Sequence, residues 1–428
     1  MRLELGRIKI KDVVFGAETK IDKGVLYIDK EAISKLVLED EHIKSVDVQL
    51  ANPGDETRIT PVKDVIEPRV KVAGAGGVFP GFINKVTTVG EGQTNVLEGT
   101  AVVTCGKIVG FQEGLIDMSG PGAQYTPFSK THNICLVMEP ADDIPECDHE
   151  VALRIAGLKV ADLLSKAGID YKPDVVEVYE TRALIKGNGE YRDLPKVAYV
   201  YMLQSQGLLH DTYVYGINAQ NILPTLMYPT EIMDGAIISG NCVSACDKNT
   251  TYHHQNNPVI KELYAQHGRE INFVGVIVTN ESVYLADKER SSDYTAKLCE
   301  YLGVDAVIIS AEGFGNPDTD LIMNCKKIEA KDIKTVLITD EYAGRDGASQ
   351  SLADADAKAD AVITGGNANE LIQLPPMKKV IGMLDYTNKI AGSFEGSQRP
   401  DGSIEAEIQV IIGATNEIGF NKMSVATY

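Results

Sequence analysis

The run INFVGVIVT, residues 271–279, is almost wholly apolar, rich in β-branched side chains, and too short for a core helix. It reads as a strand covered on both faces. Downstream the same kind of run recurs between helical periods: a helix from Ser292 with Tyr294, Leu298 and Tyr301 on one face, AVIIS at 306–310, and a helix around LIMNCKK at 321–327. TVLITDE at 335–341, a helix around SLADADAKA at 351–359 and DAVITGG at 360–366 complete the series. Short apolar strands alternating with amphipathic helices predict a Rossmann-like, doubly wound, mainly parallel sheet. Ligands of such sheets gather at the C-terminal strand ends. There the sequence places three loops rich in Gly, Asn and Asp, namely SAEGFGNPDTD at 310–320, TDEYAGRDGASQS at 339–351 and TGGNAN at 364–369. Helix capping and site lining are equally good readings of them.

Upstream, the alternation extends to VVEVYET at 175–181 and KVAYVYMLQ at 196–204, and to a helix beginning near Asp148, with Val151, Ile155, Leu158 and Ala161 at helical spacing and Gly168 as a stop. Before that the pattern changes. LELGRIKIKDVVFG, GVLYID, SVDVQLA and TAVVTCGKIVGF are β-branched or alternating runs separated by turn residues. The expected organisation is a strand-rich domain over 1–145 followed by α/β structure over 146–428. Two glycine-rich stretches, VAGAGGVFPGFIN at 72–84 and MSGPGAQYTPFSKTHN at 118–133, lack the strand and helix context of a phosphate loop and read as turns or contact loops.

The chain has 428 residues and a net charge of -20, so an electrostatic grip on nucleic acid or anionic membrane is not expected. Its N-terminus, MRLELGRIKIKD, lacks a continuous apolar stretch, and no apolar run is long enough to span a bilayer, which predicts a cytoplasmic protein. Seven cysteines, an odd number, fit reduced thiols better than a disulfide framework. Cys105, Cys135, Cys299 and Cys325 read as core, and Cys147 sits in the acidic PECDHE. Cys242 and Cys246 alone lie in a polar, Gly-flanked setting.

They belong to DGAIISGNCVSACDKNTTYHHQNNPVI, residues 234–260. Four readings compete for it. A metal site would use Cys242, Cys246, His253 and His254, but the spacing matches no common zinc motif and adjacent histidines point apart. The cysteines can instead be buried and the histidines hydrogen-bonded. A free catalytic thiol would need a base returned to it by the fold. The fourth is self-cleavage at Asn241-Cys242: the thiolate attacks the preceding carbonyl, Gly240 supplies backbone freedom, and elimination then hydrolysis leaves a pyruvoyl group in place of Cys242. Spacing alone leaves all four open.

SGNCVSACDKNTTYHHQNNPVI resembles the processing region of the substrate-specific component B proprotein of glycine reductase, the family with sarcosine and betaine reductase counterparts. The resemblance continues in VIEPRVKV, FPGFINKV, GFQEGLIDMSGPGAQYTPFSKT, LLHDTYVYG, YPTEIMDGAI, VYLADKERSS, AEGFGNPDTDLIMNCKKIE and TDEYAGRDGASQSLADADAKADAVITGGNAN, nearly end to end. It implies a cut between Asn241 and Cys242, a β chain of residues 1–241, and an α chain of residues 242–428 carrying a protein-derived pyruvoyl cofactor. That carbonyl would form a Schiff base with the glycine amine and activate the C–N bond for attack by a selenolate. The implied partners are a selenoprotein subunit of component B, the selenoprotein component A and the acetyl-phosphate-forming component C.

Asp247, Lys248 and Cys246 are candidates to assist. For the substrate carboxylate, Arg58, Arg69, Arg290 and Arg345 lie near polar or Gly-rich loops, with Arg69 and Arg345 the two carried forward. No metal is expected. Betaine, a quaternary amine, would suit an aromatic cage, and the chain has no Trp; overall similarity leans to glycine. An uncleaved scaffold that docks the selenoprotein and an enzyme retaining the Cys242 thiol are the competing functions.

Overall fold

The structure, a computed structural model, describes residues 1–108, 112–183, 191–240, 243–420 and 424–426. The chain is mixed α/β and built around three large sheets.

The first sheet orders its strands Val175–Glu180, Arg2–Lys9, Gly92–Glu98, Arg69–Ala73. The second runs Gly114–Asp117, Thr57–Ile66, Thr100–Cys105, His132–Pro140, Ile43–Ala51, and Lys379–Gly382 joins it in parallel with Thr57–Ile66. Strands from beyond residue 146 therefore enter both of these sheets. Helix Glu146–Ser165 lies over them, with Ala152, Leu153, Ala156, Leu158, Val160, Ala161 and Leu164 buried. It can approach so closely because Gly157 has no side chain: a Cβ there would stand 2.5 Å from Thr104 Cγ2.

The third sheet holds the candidate site. Its order is Thr225–Met227, Asn272–Asn280, Lys196–Leu203, Ala306–Ser310, Lys334–Glu341, Val362–Asn367, Ser424–Ala426. The five central strands are parallel, and the two edge strands run antiparallel. Numbered along the chain, the parallel strands stand 2-1-3-4-5, so the order reverses between Lys196–Leu203 and Ala306–Ser310.

Both faces of the sheet are covered, which explains why the middles of its central strands are mostly apolar. Ala198, Val200 and Met202 pack with Ala296, Cys299, Leu321 and Cys325 of helices Leu285–Leu302 and Asn316–Glu329. Tyr199, Tyr201 and Val276 pack on the other side with Ile260 and Leu263 of helix Pro258–Gln266, and with Leu3, Leu5 and Val96 of the first sheet. Burial of each such aliphatic side chain stabilises by about 1.5–3 kcal/mol. Among the described residues no helix is long and apolar enough to cross a membrane.

The sheet is mainly parallel, as expected, with an antiparallel strand at each edge. Two expectations need correction. Residues 351–359 form turns and bends with no helix: Asp354 accepts from Ala355 N–H and Asp356 from Lys358 N–H, local bonds that compete with helical pairing. The helix expected from Ser292 begins at Leu285, and its buried face is Ser291, Ser292, Thr295, Ala296, Cys299 and Leu302, while Tyr301 is 88% exposed.

Candidate functional site

Asn241 and Cys242 lie outside the described residues, but both flanks of their junction are fixed. On the N-terminal side Ser239 N–H donates to Thr251 Oγ1 at 3.1 Å. Gly240 is buried against the 204–213 segment, where a Cβ would stand 2.5 Å from Asp211 O and 2.5 Å from Tyr213 Cε2. On the C-terminal side Ala245 O accepts from Gly413 N–H at 2.9 Å and Cys246 O from Thr415 N–H at 3.0 Å.

From Ser244 to Asn257 the chain is strongly polar yet buried, except for the partly exposed Tyr252. Such burial is tolerable only if the polar groups find partners, and the parallel strand ends supply many of them. Asn249 N–H donates to Glu312 Oε1 at 2.7 Å, and its Nδ2 to Glu417 Oε1 at 2.6 Å. Glu312 Oε2 accepts from Gln204 N–H at 3.4 Å, and Glu312 N–H donates to Glu281 Oε1 at 2.9 Å. Asp340 accepts from Thr415 Oγ1 at 3.0 Å. Gln204 and Glu312 follow the two strands between which the order reverses, the crevice where open α/β sheets hold ligands. The second sheet contributes Asp64, whose carboxylate accepts from Thr251 N–H at 2.9 Å and Oγ1 at 2.7 Å.

This crowding of carboxyl groups out of water changes their acidity. Burial pushes Asp247 up to about 7. Burial, with Asp247 nearby, pushes Glu312 up to about 8. Glu281, Asp340 and Glu417 are raised well above the carboxylate range, by burial first and then by their acidic neighbours. A set of proton-holding carboxyls thus lines the strand ends.

The other anticipated residues fall as follows. Cys246 is buried, its Sγ 3.8 Å from Asp247 Oδ1, and burial holds the thiol protonated. Lys248 is fully buried and its Nζ donates to the carbonyls of Lys63 at 3.3 Å and Gln112 at 2.6 Å, fastening the segment to the second sheet. His253 Nδ1 accepts from Thr250 N–H at 3.1 Å and closes a cap on helix Thr251–Gln255, whereas His254 Nδ1 pairs with Tyr201 Oη at 2.7 Å. Burial pushes both imidazoles down to about 3, so both are neutral.

Arg69 is buried, with Nε and Nη2 on Glu67 Oε2 at 2.9 and 2.6 Å and Nη1 on Met233 O. Arg58 makes a bidentate pair with Asp117 at 2.6 and 2.8 Å. Arg345 reaches Glu407 at 2.8 Å on the surface, and Arg290 pairs with Asp287, also exposed. Glu312 and Asp340 come from two of the three loops singled out in the sequence. Asp211 and Tyr213, in LLHDTYVYG, and Glu281 and Glu417 had no local signal, because only the folded chain carries them to Gly240, Glu312 and Asn249 respectively.

Fold and site together define an α/β protein whose candidate site is a buried, carboxyl-lined polar segment beginning at a Gly-Asn-Cys junction. The sequence model for glycine/sarcosine/betaine reductase component B subunits matches residues 1–426, and the chain belongs to this family. It is 66% identical to the glycine reductase complex component B subunits alpha and beta of Acetoanaerobium sticklandii, over the full length of both chains. It is 60% identical to the sarcosine reductase complex component B subunit alpha of Peptoclostridium acidaminophilum, again over both full lengths. More distantly, it is 22% identical to the D-proline reductase proprotein of A. sticklandii, covering 78% of this chain and 54% of that protein. No solved structure matches it.

Proposed function

We propose that this chain is the proprotein of a glycine reductase component B, cut between Asn241 and Cys242, with residue 242 becoming a pyruvoyl group. The observation that carries the reading is the setting of the junction's flanks in a chain that matches its family end to end: Gly240 and residues 244–246 are buried and anchored to different elements. The relation to a named proprotein supports the cut, and the higher identity to glycine than to sarcosine reductase subunits supports glycine as substrate.

When present, a pyruvoyl carbonyl supplies an electrophile for the substrate's primary amine. This chain's residues provide its surroundings. Asp247 and Glu312, buried carboxyls pushed up to about 7 and about 8, can hold a proton near neutral pH, and in this reading they return it to the departing amine. Lys248 fixes the backbone by clamping two carbonyls. Arg69 and Arg345 already hold Glu67 and Glu407, so either would exchange that partner to take a substrate carboxylate. The attacking nucleophile, reduction and acetyl phosphate formation belong to the selenoprotein and acyl-forming partners that the resemblance implies.

Intact mass of the protein from an active complex tests the reading. The expected result is two chains, 1–241 and 242–428, the second blocked to Edman sequencing and lighter than a Cys-initiated chain. One uncut, full-length species in an active complex would sink it.

A further inference from the structure

Arg154, on helix Glu146–Ser165, is 3% exposed, yet Nε and Nη1 have no hydrogen-bond partner. Its guanidinium carbon lies 4.3 Å from the centre of the Tyr213 ring and 5.6 Å from that of Phe82, and these two rings meet edge to face at 5.3 Å. The remaining nitrogen, Nη2, stands 3.3 Å from Glu150 Oε2. Glu150 is shared: Lys63 Nζ lies 3.4 Å from its Oε1 and His210 Nε2 3.4 Å from its Oε2. One carboxylate therefore serves two cations and an imidazole.

Buried donors without acceptors are costly, and an Arg fork with free N–H groups matches a planar carboxylate. The contrast with Arg58 and Arg69 is clear, since every nitrogen of those side chains is engaged. Position matters equally. Tyr213 is the ring that leaves Gly240 no space for a Cβ, so the Arg154 guanidinium stands one ring away from the residue preceding the junction.

We propose that Arg154 binds the carboxylate of a small amino-acid substrate, with Tyr213 and Phe82 screening the pair from water and Glu150 bracing the far edge of the guanidinium. The inference rests on the reading that the substrate amine is held at residue 242. It makes Arg154 a residue that distinguishes an amino acid from a simple amine.

The test uses full-length protein after its own processing, borohydride, and either labelled glycine or labelled methylamine, which offers an amine without a carboxylate. Arg154→Met is expected to raise the glycine concentration for half-labelling of fragment 242–428 about tenfold or more relative to that for methylamine. Arg154→Lys, which keeps the charge but loses the fork, falls between and serves if the Met variant does not fold. An unchanged ratio, or equal loss for both amines, overturns the proposal. A second readout needs no cofactor: in the Cys242→Ala chain, acetate NMR lines are expected to broaden on protein addition and to sharpen again with Arg154→Met. Equal broadening in both overturns the proposal. A wild-type chain that is neither cut nor labelled would instead sink the assignment of the junction, and the acetate measurement would still decide on Arg154.

Discussion

Gly240 illustrates how a single missing side chain organises this site. The Cβ of an alanine there would lie 2.5 Å from the Asp211 carbonyl oxygen, a backbone atom that has no rotamer by which to yield. Gly240→Ala is therefore expected to destabilise the protein by about 1–3 kcal/mol and to slow the proposed cut between Asn241 and Cys242. The measurement is the fraction of chain cut over time, by intact mass, beside the urea midpoint. Normal cutting with an unchanged midpoint would show that the 211–213 segment moves aside freely. Residues 234–260 flagged Gly240 as a source of backbone freedom; what made glycine obligatory, the approach of Asp211 and Tyr213, is a contact between segments that no local pattern encodes.

Among the elements, the segment from Ser244 to Asn257 is held in a cradle of strand ends whose charge state sets its stability. Asp247 and Glu312 have folded pKa values of about 7 and 8, above those of the unfolded chain. Between the ordinary carboxylate range and pH 8 the folded state thus binds more protons than the unfolded state, and stability falls as pH rises through this window. Thermal unfolding from pH 5.5 to 9 should show this fall, and Glu312→Gln, neutral throughout, should flatten it. A variant with the wild-type slope would remove Glu312 from the account.

The same elements show what was legible in the sequence. Strands such as Asn272–Asn280 and Lys196–Leu203 announced themselves, because a strand covered on both faces reads as a nearly continuous apolar run. Helix Glu146–Ser165 was visible in its apolar spacing. Helix Leu285–Leu302 was only half visible, since its first turns are charged and its buried face is made of Ser, Thr, Ala and Cys. Of the acidic cradle, the loops holding Glu312 and Asp340 were recognised as lying at strand ends. Their convergence on Asn249 and Asp247 was not, because it depends on the order of strands in the sheet.

For the whole molecule, the cut proposed at 241–242 leaves the first sheet within one fragment but divides the second and third sheets between the two. Lys379–Gly382 pairs with Thr57–Ile66, and Arg58 donates to Pro375 O at 3.1 Å. Fragments 1–241 and 242–428 are expected to co-elute in native size exclusion and to part only in denaturant, at a concentration that unfolds both. Separation under native conditions would mean that these pairings are weaker than their burial implies. Lys196–Leu203 takes the point furthest: it belongs to the first fragment yet lies between Asn272–Asn280 and Ala306–Ser310 of the second. A separately made second fragment would have an open slot in the middle of its sheet. Synthesis as one polypeptide would fill that slot before the proposed cut, so on this reading maturation follows folding, and the two chains would enter any larger assembly in equal numbers without a mechanism to count them.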